Sequence, residues 1–427
     1  MLFWENLQRQ IREVRNGGSR VAARKVRTGV RWLLDFLIGL PVVAVVRLLR
    51  PVILIRFNPI YCDRMGHLVE FIELYLCARD AGINVPARRY IDISFFTSRV
   101  IPNAQIGIMW QRILRVGPSW LLRRAYRVSQ FLPGGACHDA GNYAAHLGSD
   151  VHALLDTVPS HLRFTEDEES RGKAGLRAMG IPEGLEFICV HARDSAYLPT
   201  LSPREDHTCN DYRDVNIQNY VLAAETLADR GYFVVRMGAV VADPIKSSHP
   251  RVIDYATSGM RTDFMDIYLV SKCFFYLASN SGIDLVAIAL RRPVAIVNHA
   301  PVGCLVARLR ETVFIAKQYL LLSEARVLTL KEVFSSHVDF YFFSHEYEKH
   351  GVKLIENTPE EIKDLAIEML DRLDGTWQSQ PVDDELQHRF WSICRAKERD
   401  AVEHPSHELS LPRYGAQFLR NNPQWLN

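Results

Sequence analysis

Two side chains that bind phosphate and move protons stand at the end of a short apolar run. In Phe187-Ile-Cys-Val-His191-Ala-Arg193 the histidine and the arginine are two residues apart. Because side chains alternate along a strand, both would leave its carboxyl end on the same side. Ligands of open α/β sheets bind at that end, and a guanidinium fork suits a phosphate or diphosphate. The pattern favours a ligand site over the alternative, a solvated strand end with His191 capping a neighbouring loop.

A second apolar run ends in small hydroxyl residues. It reads Phe274-Phe-Tyr-Leu-Ala-Ser279-Asn-Ser281-Gly282 and leads into a helix. Hydroxyl and backbone N–H groups at a helix amino terminus can hold a phosphate. A simple N-cap with a tight turn is the other interpretation. Taken together, the two strand ends predict a nucleotide-diphosphate site that includes His191, Arg193, Ser279, Ser281 and Gly282.

A third strand end and a long loop extend this site. Arg236-Met-Gly238 closes an apolar run, and a glycine at this point either lets the backbone approach a ligand or only serves the turn. The loop at 194–214 is long enough to be functional and carries Asp206, His207, Arg213 and Asp214, which could grip a sugar or an acceptor. We add Arg236 and Gly238 to the predicted donor site.

A candidate general base lies much earlier in the chain. Gly66-His67 opens a helical stretch behind the buried run at 52–57. An imidazole there could take a proton from an acceptor hydroxyl near neutral pH. Asp63 and Glu70 are rivals for that role, and helix capping is the alternative role for His67. We predict His67, Asp63 and Arg193 as the catalytic residues.

The surrounding elements alternate between strands and helices. Strands are predicted at 52–57, 89–96, 186–191, 232–238, 252–255, 273–278 and 294–297, and helices at 68–80, 106–131, 216–230, 264–271 and 283–291. Such alternation is typical of parallel, doubly wound sheets. The fold class is therefore α/β with two Rossmann-like domains. The predicted divisions are a basic amphipathic segment (1–50), an acceptor-side domain (51–165), a donor-binding domain (166–350) and carboxyl-terminal helices that pack back on both domains (351–427).

The amino-terminal segment combines positive charge with an apolar stretch. Ten arginines and lysines face three acidic residues in the first fifty positions, and the apolar run at 32–46 is interrupted by Asp35 and Pro41. A spanning helix needs about 20 largely uncharged residues. The segment is thus expected to be a broken helix on the inner membrane surface, held by anionic headgroups. The alternative is a core helix of the first domain behind a solvated basic arm.

Composition and missing motifs argue against several classes of function. With 427 residues, 48% hydrophobic, and a net charge of +2, the chain is globular and gives no general argument for nucleic-acid binding. Its eight scattered cysteines form no C-x-x-C pair, which argues against zinc and disulfides and for a reducing cytoplasm. Zincin, P-loop and G-x-S-x-G motifs are missing, and so is a full G-x-G-x-x-G, so no metal and no nicotinamide cofactor is expected.

Several of these segments together resemble a bacterial family of glycosyltransferases with the two-domain GT-B architecture. The resemblance runs from about Pro51 to the carboxyl end. It rests on the segments 64–68, 73–76, 190–194, 213–217 with Tyr220, 231–238, 261–266, 279–282, 356–362 and 417–420. More distantly, H-x-R at one strand end and a serine-rich second strand end are similar to the donor domain of GDP-fucose-dependent fucosyltransferases. Asp194 departs from that pattern, because a second arginine often stands there.

The resemblance implies a glycosyltransferase. Arg193 would bind the donor diphosphate and Ser281 a phosphate, while Gly66-His67 corresponds to the turn where many such enzymes carry a base. The expected activity is metal-independent transfer of a sugar from a nucleotide-diphosphate donor to a cell-surface glycan or a lipid-linked glycan precursor. The expected location is the cytoplasmic side of the inner membrane. Two alternatives stay open: a nucleotide-sugar epimerase or hydrolase, and a non-catalytic membrane-surface scaffold.

Overall fold

The computed structural model describes residues 2–141, 150, 152–201, 206–304, 311–398 and 411–427, which form a mixed α/β fold. The α-helices are α1 (Leu2–Leu49), α2 (Met65–Asp80), α3 (Ala104–Ile113), α4 (Ser119–Phe131), α5 (Leu154–Thr157), α6 (Glu166–Ala178), α7 (Tyr197–Leu201), α8 (Val221–Asp229), α9 (Asp263–Lys272), α10 (Asp284–Ala289), α11 (Leu330–Ser335), α12 (Ser344–Lys349), α13 (Pro359–Leu373), α14 (Pro381–Glu398) and α15 (Ala416–Asn421). The strands are β1 (Leu54–Ile60), β2 (Tyr90–Phe96), β3 (Phe187–Val190), β4 (Phe233–Arg236), β5 (Val252–Ile253), β6 (Tyr276–Ala278), β7 (Val294–His299), β8 (Thr312–Ala316), β9 (Gln318–Leu321), β10 (Arg326–Val327), β11 (Val352–Ile355) and β12 (Arg413–Tyr414).

The chain divides into two compact units. Unit 1 contains residues 1–62, 84–100 and 113–142, and unit 2 contains residues 63–83, 101–112 and 143–427. The sequence assigned the segments 63–83 and 101–112 to the first domain, so the units divide the chain differently from the predicted boundary after residue 165. Side-chain contacts explain the difference for the second segment: Asn103 Nδ2 donates to the Asp263 carbonyl at 2.9 Å, and Arg112 pairs with Glu168 at 2.5 Å.

Unit 2 is built on a seven-stranded sheet. Its strand order is β12-β8-β7-β6-β3-β4-β5, and every neighbouring pair is parallel. The strands β3, β4, β6, β7 and β8 are buried along their whole length, as expected where helices cover both faces of a parallel sheet. The prediction of a parallel α/β sheet is confirmed for this unit.

Two predicted helical regions contain more than helices. The stretch at 106–131 is two helices, α3 and α4, because Gly117-Pro118 interrupts it and Pro118 cannot donate a backbone hydrogen bond. The tail contributes β12 to the sheet edge, and α13 packs on α8 and on β7 and β8 within unit 2. The strands β9, β10 and β11, which come before α13 in the chain, form a separate antiparallel sheet in the order β10-β9-β11.

Unit 1 has a smaller sheet than predicted. Its strands β1 and β2 pair in parallel from Leu54↔Tyr90 to Ile60↔Phe96. Two isolated bridges extend the pair, one from Phe57 to Asp139 and one from Ser94 to Val116. Among the residues that the structure describes, unit 1 therefore holds a two-stranded parallel sheet rather than a full Rossmann-like sheet.

The amino-terminal segment is one continuous helix, so the expectation of a break is wrong. Helix α1 runs through Pro41, and the residues after that proline are held by packing: Val43 and Val46 are buried against Phe57, Phe95, Leu122, Ala125 and Val128. Tertiary packing of this kind outweighs a local helix-breaking residue. One face of the helix thus belongs to the core of unit 1, as the alternative interpretation proposed.

The other face of α1 is apolar and exposed. Leu33, Leu37 and Leu48 are 60%, 64% and 78% exposed. By length and composition alone, Lys25–Leu49 could cross a membrane. The basic side chains of Arg9, Arg12, Arg15, Arg20 and Arg24 lie outside the described part of the structure. Membrane association stays a prediction.

Candidate donor cleft

A cleft lies at the carboxyl ends of three adjacent strands of unit 2. Strand β3 pairs with β6 on one side and with β4 on the other, so His191 and Arg193, the turn at 279–282 and Gly238 come together at one edge of the sheet. The cleft is open to solvent, and the empty space between its walls, open solvent included, is about 1020 Å³. Of the predicted donor-site residues, those that line the cleft are His191, Arg193, Gly238, Ser281 and Gly282.

Arg193 is held in place from both its backbone and its side chain. Its N–H donates to Ser279 Oγ at 2.7 Å, and its carbonyl accepts from the Val215 N–H at 2.9 Å. Its Nη1 bonds the carboxylate of Asp214 and the carbonyl of Asn210. Both bonds use one nitrogen, so among the described residues the rest of the fork is left to a ligand in the cleft that Arg193 lines.

Burial and a neighbouring cation both affect the pKa of Arg193. Burial, and then the neighbouring charge of Arg213, lower the pKa of Arg193 to about 10, which leaves it charged at neutral pH. The loop that carries Asp214 is itself fastened by Lys317, whose Nζ donates to the carbonyls of Tyr212 and Asp214 at 3.0 and 2.8 Å. The arrangement fixes Arg193 before any ligand arrives.

Asp194 connects two strand ends. Its Oδ1 accepts from the Ala196 N–H and its Oδ2 from the Ala242 N–H, both at 2.9 Å. The residue that departs from the fucosyltransferase pattern therefore ties the loop after β3 to the loop after β4. Its carboxylate is used inside the protein, and we assign it a structural role.

Ser281 is engaged by the chain's own carboxylate. Its hydroxyl donates to Asp284 Oδ1 at 2.8 Å, and its N–H donates to Asp284 Oδ2 at 2.5 Å. The predicted anion cradle at this helix start is therefore occupied by Asp284. A phosphate would have to displace that carboxylate, and the geometry matches the capping interpretation of this turn.

His191 completes a chain of hydrogen bonds with that pair. Its Nδ1 lies 3.2 Å from Ser281 Oγ, whose own proton goes to Asp284. Burial, followed by the charge of Arg236, lowers the pKa of His191 to about 4, so the imidazole is neutral at physiological pH. On this network Nδ1 carries the proton and donates to Ser281.

Two predicted donor-site residues lie behind the cleft. Ser279 is fully buried, and its Oγ accepts the Arg193 N–H, so it positions Arg193. Arg236 is also fully buried; its Nη1 pairs with Asp254 at 3.3 Å and its Nη2 donates to the Asp243 carbonyl at 2.9 Å. Gly238, by contrast, lines the cleft, and a Cβ there would lie 2.4 Å from Val241 Cγ1.

Three further arginines line the cleft, and the sequence had named one of them, Arg213, only as a loop residue that could grip a sugar or an acceptor. They are Arg64, Arg213 and Arg261. Arg213 is fixed by a 2.9 Å bond to Asn210 Oδ1, and its pKa is lowered by burial. Arg261 pairs with Asp266 at 2.8 Å and with Asp263 at 3.1 Å. The sequence placed each in a loop or at a helix start, but only the fold brings them to one cleft.

The predicted base lies in a turn beside this cleft. Asp63 accepts from His67 Nδ1 at 2.9 Å, and the imidazole stacks on Phe71 with ring centroids 4.9 Å apart. Burial raises the pKa of Asp63, but the bond from His67 outweighs it and the net pKa is lowered. Arg64 and Met65 of the same turn line the cleft, whereas Asp63 and His67 do not. Glu70 is buried in α2.

Two glycines bring this turn close to the cleft. A Cβ on Gly282 would lie 3.1 Å from the Gly66 N atom, and a Cβ on Gly66 would lie 2.6 Å from Leu285 Cδ1. The start of α2 therefore packs directly on the turn after β6. The close approach at Gly282 is to backbone, whereas a Cβ on Gly66 would meet the movable end of the Leu285 side chain.

Among the described residues, one cluster has the side-chain types of a metal site. Glu73, Cys77 and His161 bring their ligand atoms within 4.8 Å of one another. A cation of the chain already neutralises them, because Arg291 Nη2 lies 2.8 Å from Glu73 Oε1 and 3.3 Å from Cys77 Sγ. His161 Nε2 also pairs with Asp80 at 3.0 Å. We interpret the cluster as a buried ion-pair network.

This network predicts a pH-dependent stability. Burial lowers the pKa of His161, but its bonds to Cys77, Glu73 and Asp80 raise it to about 10. Because the folded pKa exceeds the ordinary value, the protonated imidazole stabilises the fold fully below about pH 6.5, and this contribution is lost as pH rises toward 10. The melting temperature of His161→Gln should therefore lie furthest below that of the wild type near pH 6 and converge on it by pH 10. A difference that does not change with pH would contradict the assignment.

No family model and no curated protein matches this sequence. Among solved structures, ADP-heptose lipopolysaccharide heptosyltransferase II of Escherichia coli is 14% identical, with 75% of this chain and 98% of that chain covered and a TM-score of 0.35. A glycosyl transferase family 9 structure from Veillonella parvula is 12% identical. The match covers 56% of this chain and 79% of that chain, with a TM-score of 0.33. Escherichia coli heptosyltransferase WaaC with ADP is 11% identical. The match covers 58% of this chain and 88% of that chain, with a TM-score of 0.29. Similarities at this level do not place the chain in a family.

Proposed function

We propose that this protein is a glycosyltransferase of the GT-B type that uses a nucleotide-diphosphate sugar. The observation that carries the proposal is the cleft lined by Arg64, Arg193, Arg213 and Arg261 at the carboxyl ends of adjacent parallel strands. Four guanidinium groups in one cleft fit a ligand with several negative charges. A nucleoside diphosphate is such a ligand, and strand ends of this kind are where nucleotides bind.

The same arginines suit the chemistry of sugar transfer. When the bond between the anomeric carbon and the diphosphate breaks, negative charge accumulates on the departing diphosphate. Fixed cations in a partly dry cleft stabilise that charge without reorganising. Arg193 contributes most in this account, because its backbone and side chain are already held. The arginines supply positive charge that a metal ion provides elsewhere, and metal-independent transfer is part of the proposal.

The acceptor side uses the turn at the start of α2. The Asp63 carboxylate bound to Nδ1 orients the His67 imidazole and leaves Nε2 to accept a proton from the acceptor hydroxyl. His67 is three residues from Arg64, which lines the cleft, so an acceptor entering there can reach both. The side chains of His67 and Asp63 are 38% and 58% exposed, as a site open to a large glycan requires.

We further propose that the reaction takes place at the inner face of the bacterial membrane, on a cell-surface glycan or a lipid-linked glycan precursor. The support is the exposed apolar face of α1, which a soluble substrate would not need. Neither a cofactor nor a nucleic acid has a role in this proposal.

Ligand-induced stabilisation tests the donor site. Nucleoside diphosphates and their sugars should raise the melting temperature, because a ligand at 100 times its dissociation constant adds about 2.7 kcal/mol. A panel of UDP, GDP, ADP, dTDP and CMP derivatives would identify the base, and each diphosphate should stabilise more than the matching monophosphate. If no diphosphate stabilises the protein, or if monophosphates act equally well, the proposed site is wrong.

A further inference from the structure

A second cationic groove lies in unit 1, and it shares no lining residue with the donor cleft. We call it the headgroup groove. It is lined by Arg27, Val30, Arg31, Leu34 and Asp35 of α1 and by Arg123, Arg124 and Arg127 of α4. Among the side chains that the structure describes, five guanidinium groups therefore share this groove with one carboxylate. None of these residues takes part in the proposed sugar transfer.

The single carboxylate does not balance this charge. Asp35 is buried and pairs with Arg127 at 2.7 Å and with Arg124 at 3.4 Å. Arg123 instead donates to the backbone carbonyls of Ser119 and Thr97 at 3.0 and 3.1 Å. Burial lowers the pKa of Arg123, and the neighbouring guanidinium groups, Arg127 first, lower it further. The groove thus holds a preorganised excess of positive charge that an anion would relieve.

The groove borders the exposed apolar face of α1. Val30 and Leu34, which line it, are 51% and 46% exposed, and Leu33 and Leu37 beside them are more exposed still. On α4, Phe131 is 68% exposed and its ring lies 5.5 Å from that of Phe36. Cations next to exposed aliphatic and aromatic side chains match an amphiphile, whereas a free phosphate would need only the cations.

We propose that the headgroup groove binds the phosphate headgroup of an anionic phospholipid. The arginines would contact the phosphate while Leu33, Leu37 and neighbouring apolar side chains of α1 enter the acyl region. This deepens the membrane part of the proposed function by naming the lipid class and the residues that hold it. It does not depend on sugar-transfer chemistry.

Vesicle binding of the full chain tests this assignment. The wild type should sediment with vesicles that contain phosphatidylglycerol and weakly or not at all with pure phosphatidylcholine, and salt should weaken the binding. Arg27→Gln/Arg31→Gln removes two charges at exposed positions of the groove. With about 1 kcal/mol per basic residue near an anionic surface, its affinity should fall roughly 30-fold. The affinity of the Arg123→Gln variant for these vesicles should fall as well.

Matched controls separate the groove from general charge effects. Arg88→Gln/Arg89→Gln removes the same charge from exposed positions of unit 1 outside the groove and should change binding less than threefold. Inorganic phosphate at millimolar concentration should not displace the protein from vesicles at constant ionic strength. Equal losses in both double variants, equal binding to both lipids, or displacement by inorganic phosphate would overturn the proposal. Stabilisation by nucleoside diphosphates should be unchanged in every variant, so failure here is distinguishable from failure of the donor site.

Discussion

Replacing Arg193 by alanine should abolish sugar transfer and weaken nucleoside-diphosphate binding by about 2–5 kcal/mol, as truncating one member of a buried charge pair does. That is roughly a 30- to 4,000-fold loss of affinity. Two effects add up: a fixed cation is lost, and the carboxylate of Asp214 that it neutralised is left beside the diphosphate. The affinity of this variant for nucleoside monophosphates should fall much less, if Arg193 contacts the distal phosphate. Calorimetry and an assay of transfer on the purified variant measure both effects.

Two variants control for these effects. Asp214→Asn keeps the guanidinium and removes its partner, so diphosphate affinity should be retained or increased. Arg193→Lys should rescue only in part, because an ammonium cannot reproduce the planar fork. Wild-type donor affinity and turnover in Arg193→Ala would show that the cleft is not the donor site.

Replacing His67 by alanine should lower turnover by 10²–10⁴-fold, the usual contribution of a general base. Donor affinity and melting temperature should stay near the wild-type values, because His67 lies outside the arginine-lined cleft and is partly exposed.

His67→Gln is the matched structural control. Its amide can still bond to Asp63 and pack near Phe71 but cannot act as a base, so it should be as inactive as the alanine variant while keeping its stability. Asp63→Asn should reduce turnover less, through misorientation of the ring. Full activity of His67→Ala would show that another residue is the general base. A lower melting temperature together with loss of donor binding would show that the role of His67 is structural.

The sequence predicted the parallel sheet of unit 2 and the meeting of its strand ends. Apolar runs such as 187–190 and 276–278 are buried strands, and their order along the chain fixes which residues follow them. His191, Arg193 and Gly238 therefore reach the cleft as expected. This part of the site is local in sequence, since each residue directly follows its strand.

Most of the remaining features depend on contacts between residues distant along the chain, and one depends on a competing side chain nearby. Arg64, Arg213 and Arg261 come from three separate loops and helix starts. Asp284 fills the expected anion cradle from three residues downstream, and Arg236 turns inward to Asp254. Helix α1 continues through Pro41 because its residues pack on α4. In each case a partner distant along the chain, or a competing side chain, decided the outcome.

We propose that the cleft transfers a sugar from a nucleoside diphosphate to an acceptor. Its most direct test is the release of nucleoside diphosphate from the donor sugar that stabilises the protein, measured with and without a glycan or lipid-linked glycan acceptor. We expect that release requires the acceptor, that the sugar appears on the acceptor, and that both stop in Arg193→Ala. Release at the same rate without an acceptor would indicate a hydrolase, and no release under any condition while the donor binds would contradict transfer altogether.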